Sequence, residues 1–477
     1  MAEDRREQTR RIWLNTLARH KLDADQPAND KYWSETLECA SRDETIAIQN
    51  DKLAALTPFL YENSDFYRRR FDRLGLTPDD IRTIDDLPKW PVLDKSEMME
   101  DAEANPPYGT YSTIGDADWT DRGWMLFSSS GSTGTPRVFR YTQTDRRYWE
   151  WANARALHSM GAGRGEVIFP VGGFGPHVWL WGAMVAWAYM GVPVIPGGGM
   201  DAQARARIVD RFKPTVLACT PSYALHLGRV MQDLGLDPNK SSIRRLFTGG
   251  EPAMGIDATR KRLADLWGCE VVEFYGCTEV SPHVGGYSCA AAVRPGETTF
   301  THLMEDVQIW ELVDADSVDV VHDGERGLTV CTSLNSESSP QLRFLVGDYT
   351  IFERGVCDCG RGHVRAVGSF TGRADDLINL RGVKMFPSQV EHCVRAVSGL
   401  GDEFEIVLTT NPDGLDVMDI RVEHADHGTP DSIAETVANE VRSRCEVRVG
   451  VEVLAPNTLP KTEFKAKRVR DERNKKK

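Results

Sequence analysis

Ser128-Ser129-Ser130-Gly131-Ser132-Thr133-Gly134-Thr135-Pro136-Arg137 is the sharpest local feature of the chain. Its hydroxyls and backbone N–H groups supply many donors, and the interleaved Gly131 and Gly134 leave the backbone free to wrap a ligand. A loop of this composition suits a polyphosphate. It is not a Walker loop, because Gly-Lys-Ser/Thr does not follow at the required spacing. Taken alone, such a run serves equally well as a plain turn, so its meaning depends on its surroundings.

Downstream, residues 167–170, 192–196, 216–219, 245–248 and 271–275 read as short buried strands alternating with helical stretches. That alternation predicts parallel sheet with helical crossovers. Residues 306–352 turn into a strand meander, with turn signals at Asp323-Gly324 and Gly347-Asp348. Upstream, residues 1–100 read as helical, with apolar positions at helical spacing over 32–67 and a Pro-punctuated, extended stretch over 85–95. A boundary falls near Gly372, and the residues beyond it suffice for a small α+β domain. There Ser388, three residues before Glu391, is the expected N-cap of an apolar helix. The predicted class is α/β. A large domain of mixed sheets with crossover helices spans 1–373, a hinge lies at 374–376, and a small mobile α+β domain spans 377–477.

The chain has 477 residues, which calls for more than one core. A net charge of -14 argues against nucleic acid and anionic membranes, whose attraction needs clustered Lys and Arg. The most apolar stretch, 167–200, is broken by Pro170, Gly172, Gly173, Pro176, Gly191 and Pro193, which is unlike a membrane span. The charged start lacks a secretion signal, and ten irregularly spaced cysteines form no disulfide framework. A reduced, cytoplasmic chain is the expectation.

The hydroxyl loop is followed in order by Gly249-Gly250-Glu251-Pro252, Tyr275-Gly276-Cys277-Thr278-Glu279, Gly347-Asp348, Gly372-Arg373-Ala374-Asp375-Asp376, Arg381-Gly382 and Leu459-Pro460-Lys461-Thr462-Glu463-Phe464-Lys465. In this order and spacing the chain resembles the adenylate-forming superfamily of acyl-CoA synthetases, luciferases and peptide-synthetase adenylation domains. Pro-Phe-Leu-Tyr-Glu-Asn-Ser-Asp-Phe-Tyr at 58–67, Asp-Asp-Leu-Pro-Lys at 85–89 and Met385-Phe386-Pro387-Ser388-Gln389-Val390-Glu391 make it similar to the phenylacetate–CoA ligase branch.

The resemblance implies an AMP-forming ligase that joins a carboxylic acid, ATP and CoA through an acyl-adenylate. It assigns Ser129, Ser130, Gly131, Ser132, Thr133 and Gly134 to the leaving phosphates, Thr278 to the α-phosphate and Glu279 to Mg²⁺. Tyr275 and Gly276 would lie on one side of the adenine, with Gly249, Gly250 and Glu251 on the other. Asp348 would take the ribose hydroxyls, with Arg373 beside ribose and phosphate. Lys465 would neutralise the reacting anions as they approach. The family has Gly before this lysine where Phe464 stands here, and Lys467 is a substitute. Asp375 matches the hinge, and Arg381 and Gly382 the segment brought to the CoA tunnel. Singly, Glu279 reads as a surface acid, Tyr275 as a core aromatic and Asp348 as a turn residue; together they do not.

Cys357-Asp358-Cys359, with Cys289 and His302 upstream, offers the donors zinc prefers. Some relatives in the same branch carry a Cys/His pair and a Cys/Cys pair at these places with zinc bound, although the interval from Cys289 to His302 is stretched here and His363 is an alternative ligand. Phe174, His177, Trp179 and Tyr223 are the expected acyl-pocket walls, and aromatic walls suit an aromatic acid. The rival reading passes the acyl group to an amine or a carrier-protein thiol instead of CoA. A homodimer is compatible with either.

Overall fold

The computed structural model describes residues 2–21, 25–129, 137–251, 254–292, 298–381, 383–411, 415–425, 430–461 and 466–473. Of the expected site residues, Ser130, Gly131, Ser132, Thr133, Gly134, Gly382 and Lys465 lie outside the described residues. The chain forms two compact units. One comprises Met1–Glu166, Phe174–Val194 and Phe274–Val367; the other comprises Val167–Gly173, Ile195–Glu273 and Gly368–Lys477.

The first unit opens with helices Ala2–Arg19, Arg42–Asn63 and Asp65–Leu74. A capping box starts the second: the Glu44 carboxylate accepts from Ser41 N at 2.8 Å, and Ser41 Oγ accepts from Glu44 N. Leu53, Leu56 and Leu60 face inward, and Trp13 stacks on Phe59 at 5.0 Å. The hydroxyl loop lies between the antiparallel strands Gly123–Ser128 and Val138–Thr142. Helices Gln143–Ser159 and Val178–Met190 pack against each other. An antiparallel sheet follows in the order Val284–Tyr287, Phe300–Leu303, the first residues of Arg365–Arg373, Phe344–Glu353, Arg326–Ser333, Gln308–Val313. The fully buried Arg155 donates to both oxygens of Asp306, at 2.8 and 3.0 Å, and so ties helix to sheet. A bidentate pair of this kind satisfies the charges it buries.

The second unit carries the parallel strands Ile168–Pro170, Val216–Cys219 and Arg245–Thr248 and the first residues of Glu270–Gly276, with helices Ala202–Phe212, Pro221–Asp233 and Asp257–Trp267. It also holds a four-stranded sheet in the order Gly450–Leu454, Asp416–His424, Leu400–Thr410, Val469–Asp471, with helices Pro387–Ala396 and Pro430–Cys445. Val390, Val394, Ile406, Ile420, Val437 and Val441 pack in its core. The class is α/β with mixed sheets and an α+β C-terminal part, as the sequence predicts. Among the described residues, no helix is long and apolar enough to cross a membrane.

Four local expectations are corrected. Residues 192–196 form no strand; Ile195 N donates to Ile168 O, but Pro193 and Pro196 lack the N–H groups a ladder needs. The 85–95 stretch is not extended throughout, because Ile84–Lys89 is a 3₁₀ turn. Asp86 seeds that turn by accepting from Thr83 N at 2.9 Å and Thr83 Oγ1 at 2.8 Å. Ser388 sits within the first turn of its helix, and the cap is Phe386, whose N–H donates to Gln389 Oε1 at 2.8 Å. Gly347-Asp348 is no turn but a bulge inside Phe344–Glu353, which decides where Asp348 points.

Candidate active site

The bulge arises where the register against Arg326–Ser333 jumps, Leu328 facing Tyr349 and Val330 facing Leu345. Gly347 takes a φ of 81°, open to glycine and costly for other residues. Thr329 alone then faces Val346, Gly347 and Asp348, and its Oγ1 holds Asp348, accepting from Asp348 N at 3.2 Å and donating to Asp348 O at 3.0 Å. So fixed, Asp348 Oδ2 accepts from the Tyr275 hydroxyl at 2.5 Å, a residue 73 positions away. Burial and then the Asp348 charge push the Tyr275 phenol well above its ordinary value, so it stays a neutral donor.

Tyr275 lies near the end of strand Glu270–Gly276, and Thr278 and Glu279 follow it directly. The Tyr141 hydroxyl donates to Thr278 O at 3.1 Å, fastening this turn to the strand that leaves the hydroxyl loop. Glu279 forms a short ion pair with Arg137, both side chains being nearly buried. The neck of the loop is tied: Ser129 N donates to Arg137 O at 2.9 Å, and Arg137 N donates to Ser129 Oγ at 3.1 Å. Ser129, Tyr141, Tyr275, Thr278, Glu279 and Asp348 thus belong to linked contacts within one unit. Sequence reasoning missed Arg137 and Tyr141 as members. The final residue of the loop motif, a lone Arg, was the one available signal.

In the second unit, Gly249 and Gly250 follow strand Arg245–Thr248. Glu251 Oε2 accepts from Ser222 N at 3.1 Å and Oε1 from Ala466 N at 2.5 Å; burial pushes its carboxyl up. Ala466 is the residue after Lys465 in the sequence. Arg373 ends strand Arg365–Arg373, immediately before the 3₁₀ turn Ala374–Asp376 that contains Asp375. Arg381 follows strand Ile378–Leu380 with a φ of 54°.

Of the expected acyl-pocket residues, three lie in the first unit. Phe174 meets Trp181 edge-on at 5.1 Å, His177 precedes helix Val178–Met190, and Trp179 stacks on Phe274 at 5.7 Å. Tyr223 lies in the second unit, buried, and its hydroxyl accepts from Arg205 at 2.6 Å.

Cys289, His302, Cys357 and Cys359 come together, with one ligand atom from each, all within 4.8 Å of one another and all four residues buried. His302 Nδ1 lies 3.2 Å from the His363 carbonyl, so its proton belongs there and Nε2 faces Cys359 Sγ at 3.4 Å. This is how a ligating histidine is usually oriented. The Cys289 thiol, as a donor, draws the Cys357 thiol well below the usual range and lowers that of Cys359. Three sulfurs and an imidazole at this spacing fit a tetrahedral zinc. His363 is not one of the four; its ring meets the Tyr287 hydroxyl at 3.1 Å and Asp306 at 3.6 Å.

The AMP-binding enzyme model matches residues 80–333, and the AMP-binding enzyme C-terminal domain model matches 382–473. The phenylacetate–coenzyme A ligase of Thermus thermophilus is 29% identical, over 91% of this chain and 98% of that protein. The one from Aromatoleum evansii is 30% identical, over 92% and 97%. A solved 2-hydroxyisobutyryl-CoA ligase, in the postadenylation state with 2-HIB-AMP, is 27% identical over 94% of each chain, with a TM-score of 0.87. With both domain models matched in order and relatives aligned along nearly the whole length, the chain belongs to the AMP-binding, adenylate-forming enzymes, in the branch of the phenylacetate–coenzyme A ligases.

Proposed function

We propose that the chain activates a carboxylic acid with ATP, releases pyrophosphate, and transfers the acyl group from the acyl-adenylate to CoA. The observation that carries this reading is the linked set of Tyr275, Asp348, Thr278 and Glu279, joined through Tyr141 and Arg137 to the neck of the hydroxyl loop. Both reactants are anions, so the reaction needs charge neutralisation and in-line positioning more than covalent help. Asp348 takes the ribose hydroxyls, and Tyr275 and Gly276, like Gly249, Gly250 and Glu251, are residues for the adenine. Thr278 donates to the α-phosphate and Arg373 lies by the ribose. Ser129 to Gly134 hold the departing phosphates. Glu279 would hold Mg²⁺, which supplies Lewis-acid polarisation of the phosphate oxygens when bound. Glu279→Gln is expected to lower pyrophosphate release by about 100-fold and to raise the Mg²⁺ concentration needed. A magnesium titration of both proteins would check it, and an unchanged profile would remove Glu279 from the role.

The small domain, 377–477, swings about Asp375 between the half-reactions, bringing Arg381 and Gly382 to the thiol. Asp375→Pro is expected to spare acyl-AMP formation and to stop thioester formation, since a hinge must rotate its backbone. Quenched-flow measurement of each half-reaction decides; equal losses in both would refute the hinge. The acid is an aromatic one of the benzoate or arylacetate type. The Phe174–Trp181 and Trp179–Phe274 pairs support this, as do relatives named for phenylacetate. Cys289, His302, Cys357 and Cys359 hold a structural zinc, and the enzyme works in the reducing cytoplasm, consistent with ten cysteines of which none is paired in a disulfide. Small molecules are its partners, with neither nucleic acid nor membrane, and a homodimer is compatible with that. Pyrophosphate release screened over aromatic, alicyclic and fatty acids tests the reading. Product analysis with CoA, amines and carrier protein separates the thioester from the rival acceptors.

A further inference from the structure

His283 is 1% exposed and belongs to none of the roles above. Its ring lies on Trp149 at 5.0 Å and meets Phe274 edge-on at 6.3 Å. It also presses on helix Val178–Met190 at Gly182, where an added Cβ would collide with the imidazole. The glycine therefore makes room for this ring. Asn153 Nδ2 donates to Trp149 O at 2.7 Å and lies 3.4 Å from His283 Nδ1, to which its second hydrogen points. Nδ1 is thus the acceptor, and the proton sits on Nε2. Burial alone pushes the imidazole down to about 3, so it is neutral.

That leaves a buried Nε2–H donor with no hydrogen-bond partner among the described residues. Trp179 Nε1–H is a second buried donor with none, and Trp179 stacks on the same Phe274 ring at 5.7 Å. A buried donor left unmet is costly, so two around one aromatic ring need a reason. Both are donors, so what completes them is an acceptor.

We propose that His283 and Trp179 form a specificity subsite that reads an oxygen acceptor on the body of the acid, so the preferred substrates carry a hydroxyl, ether or carbonyl oxygen rather than an all-hydrocarbon group. The proposal rests on the reading that Phe174, His177 and Trp179 border the acid. A site built to hydrogen-bond a substrate oxygen rejects the analogue lacking it, because its own buried groups go unpaired.

The test measures kcat/KM for pyrophosphate release with benzoate, phenylacetate and cyclohexanecarboxylate, each beside its hydroxy, methoxy and oxo derivatives. At least one oxygen-bearing acid is expected to exceed its parent by about tenfold or more, the value of one buried hydrogen bond. His283→Leu and Trp179→Phe are each expected to shrink that ratio to within about threefold, with His283→Asn, which keeps a donor, retaining more of it than His283→Leu. Trp179→Phe keeps an aromatic ring against Phe274, so it reports even if His283→Leu fails to fold. Equal wild-type rates for parent and derivative overturn the proposal, as does an unchanged ratio in the variants; either result assigns the donors to a bound structural water. Absence of pyrophosphate release with every acid would instead sink the acid-activating reading itself.

Discussion

Replacing Lys465 with alanine is expected to lower acyl-adenylate formation by at least ~100-fold, the usual loss for one electrostatic group in such a site. The carboxylate and the α-phosphate repel as they close, and the transition state spreads more negative charge over the phosphoryl oxygens. A cation reaching both anions offsets that repulsion only while they react. The loss should therefore appear mainly in the rate constant of the first half-reaction rather than in ATP affinity. Thioester formation from supplied acyl-adenylate should suffer much less, since no phosphate is then under attack. Lys467 provides the internal comparison. Should Lys467→Ala abolish adenylation and Lys465→Ala leave it intact, the cation has been misassigned.

Cys357→Ser should remove about one equivalent of zinc and lower thermal stability by roughly 10 °C. Loss of a structural metal belongs with the large single-residue effects, on the order of 4 kcal/mol. One kcal/mol moves the midpoint by about 2–4 °C for a unit of a few hundred residues. The four ligands join segments far apart in the chain, since Cys289 and His302 precede Cys357 and Cys359 by more than fifty residues. In that variant two thiols, a hydroxyl and an imidazole are left buried without the metal, with only weak hydrogen bonds among themselves. Metal analysis of protein purified without chelator, paired with a melting curve, reads both quantities. Wild-type protein free of zinc would end the idea, and so would a variant that binds as much as wild type.

Much of the site was legible because its chemistry is local. Tyr275-Gly276 ends one strand and Cys277-Thr278-Glu279 follows it directly, and Ser129 and Arg137, which flank the hydroxyl loop in the sequence, bond to each other. Runs of neighbouring residues carry such features whole. Asp348 was singled out as a residue but placed in the wrong local structure. The string Gly347-Asp348 is the same in a turn and in a bulge, and only the register against Thr329 distinguishes them. The strand expected over 192–196 failed for a related reason: apolar composition marks burial, whereas Pro193 and Pro196 decide whether a ladder can form.

By itself, the sequence determined the class of fold, the order of the motifs and the residue types that the chemistry requires. Strand alternation, helix caps and glycine-bearing turns are set by neighbours a few positions apart. Tertiary structure alone decided which distant groups pair: Arg137 with Glu279, Tyr275 with Asp348, and His283 with Gly182 and Phe274. It also showed that His302 turns Nε2 toward Cys359 because the His363 carbonyl takes the proton on Nδ1. Such pairings depend on burial and on the direction of each donor, which exist only once the chain has closed on itself.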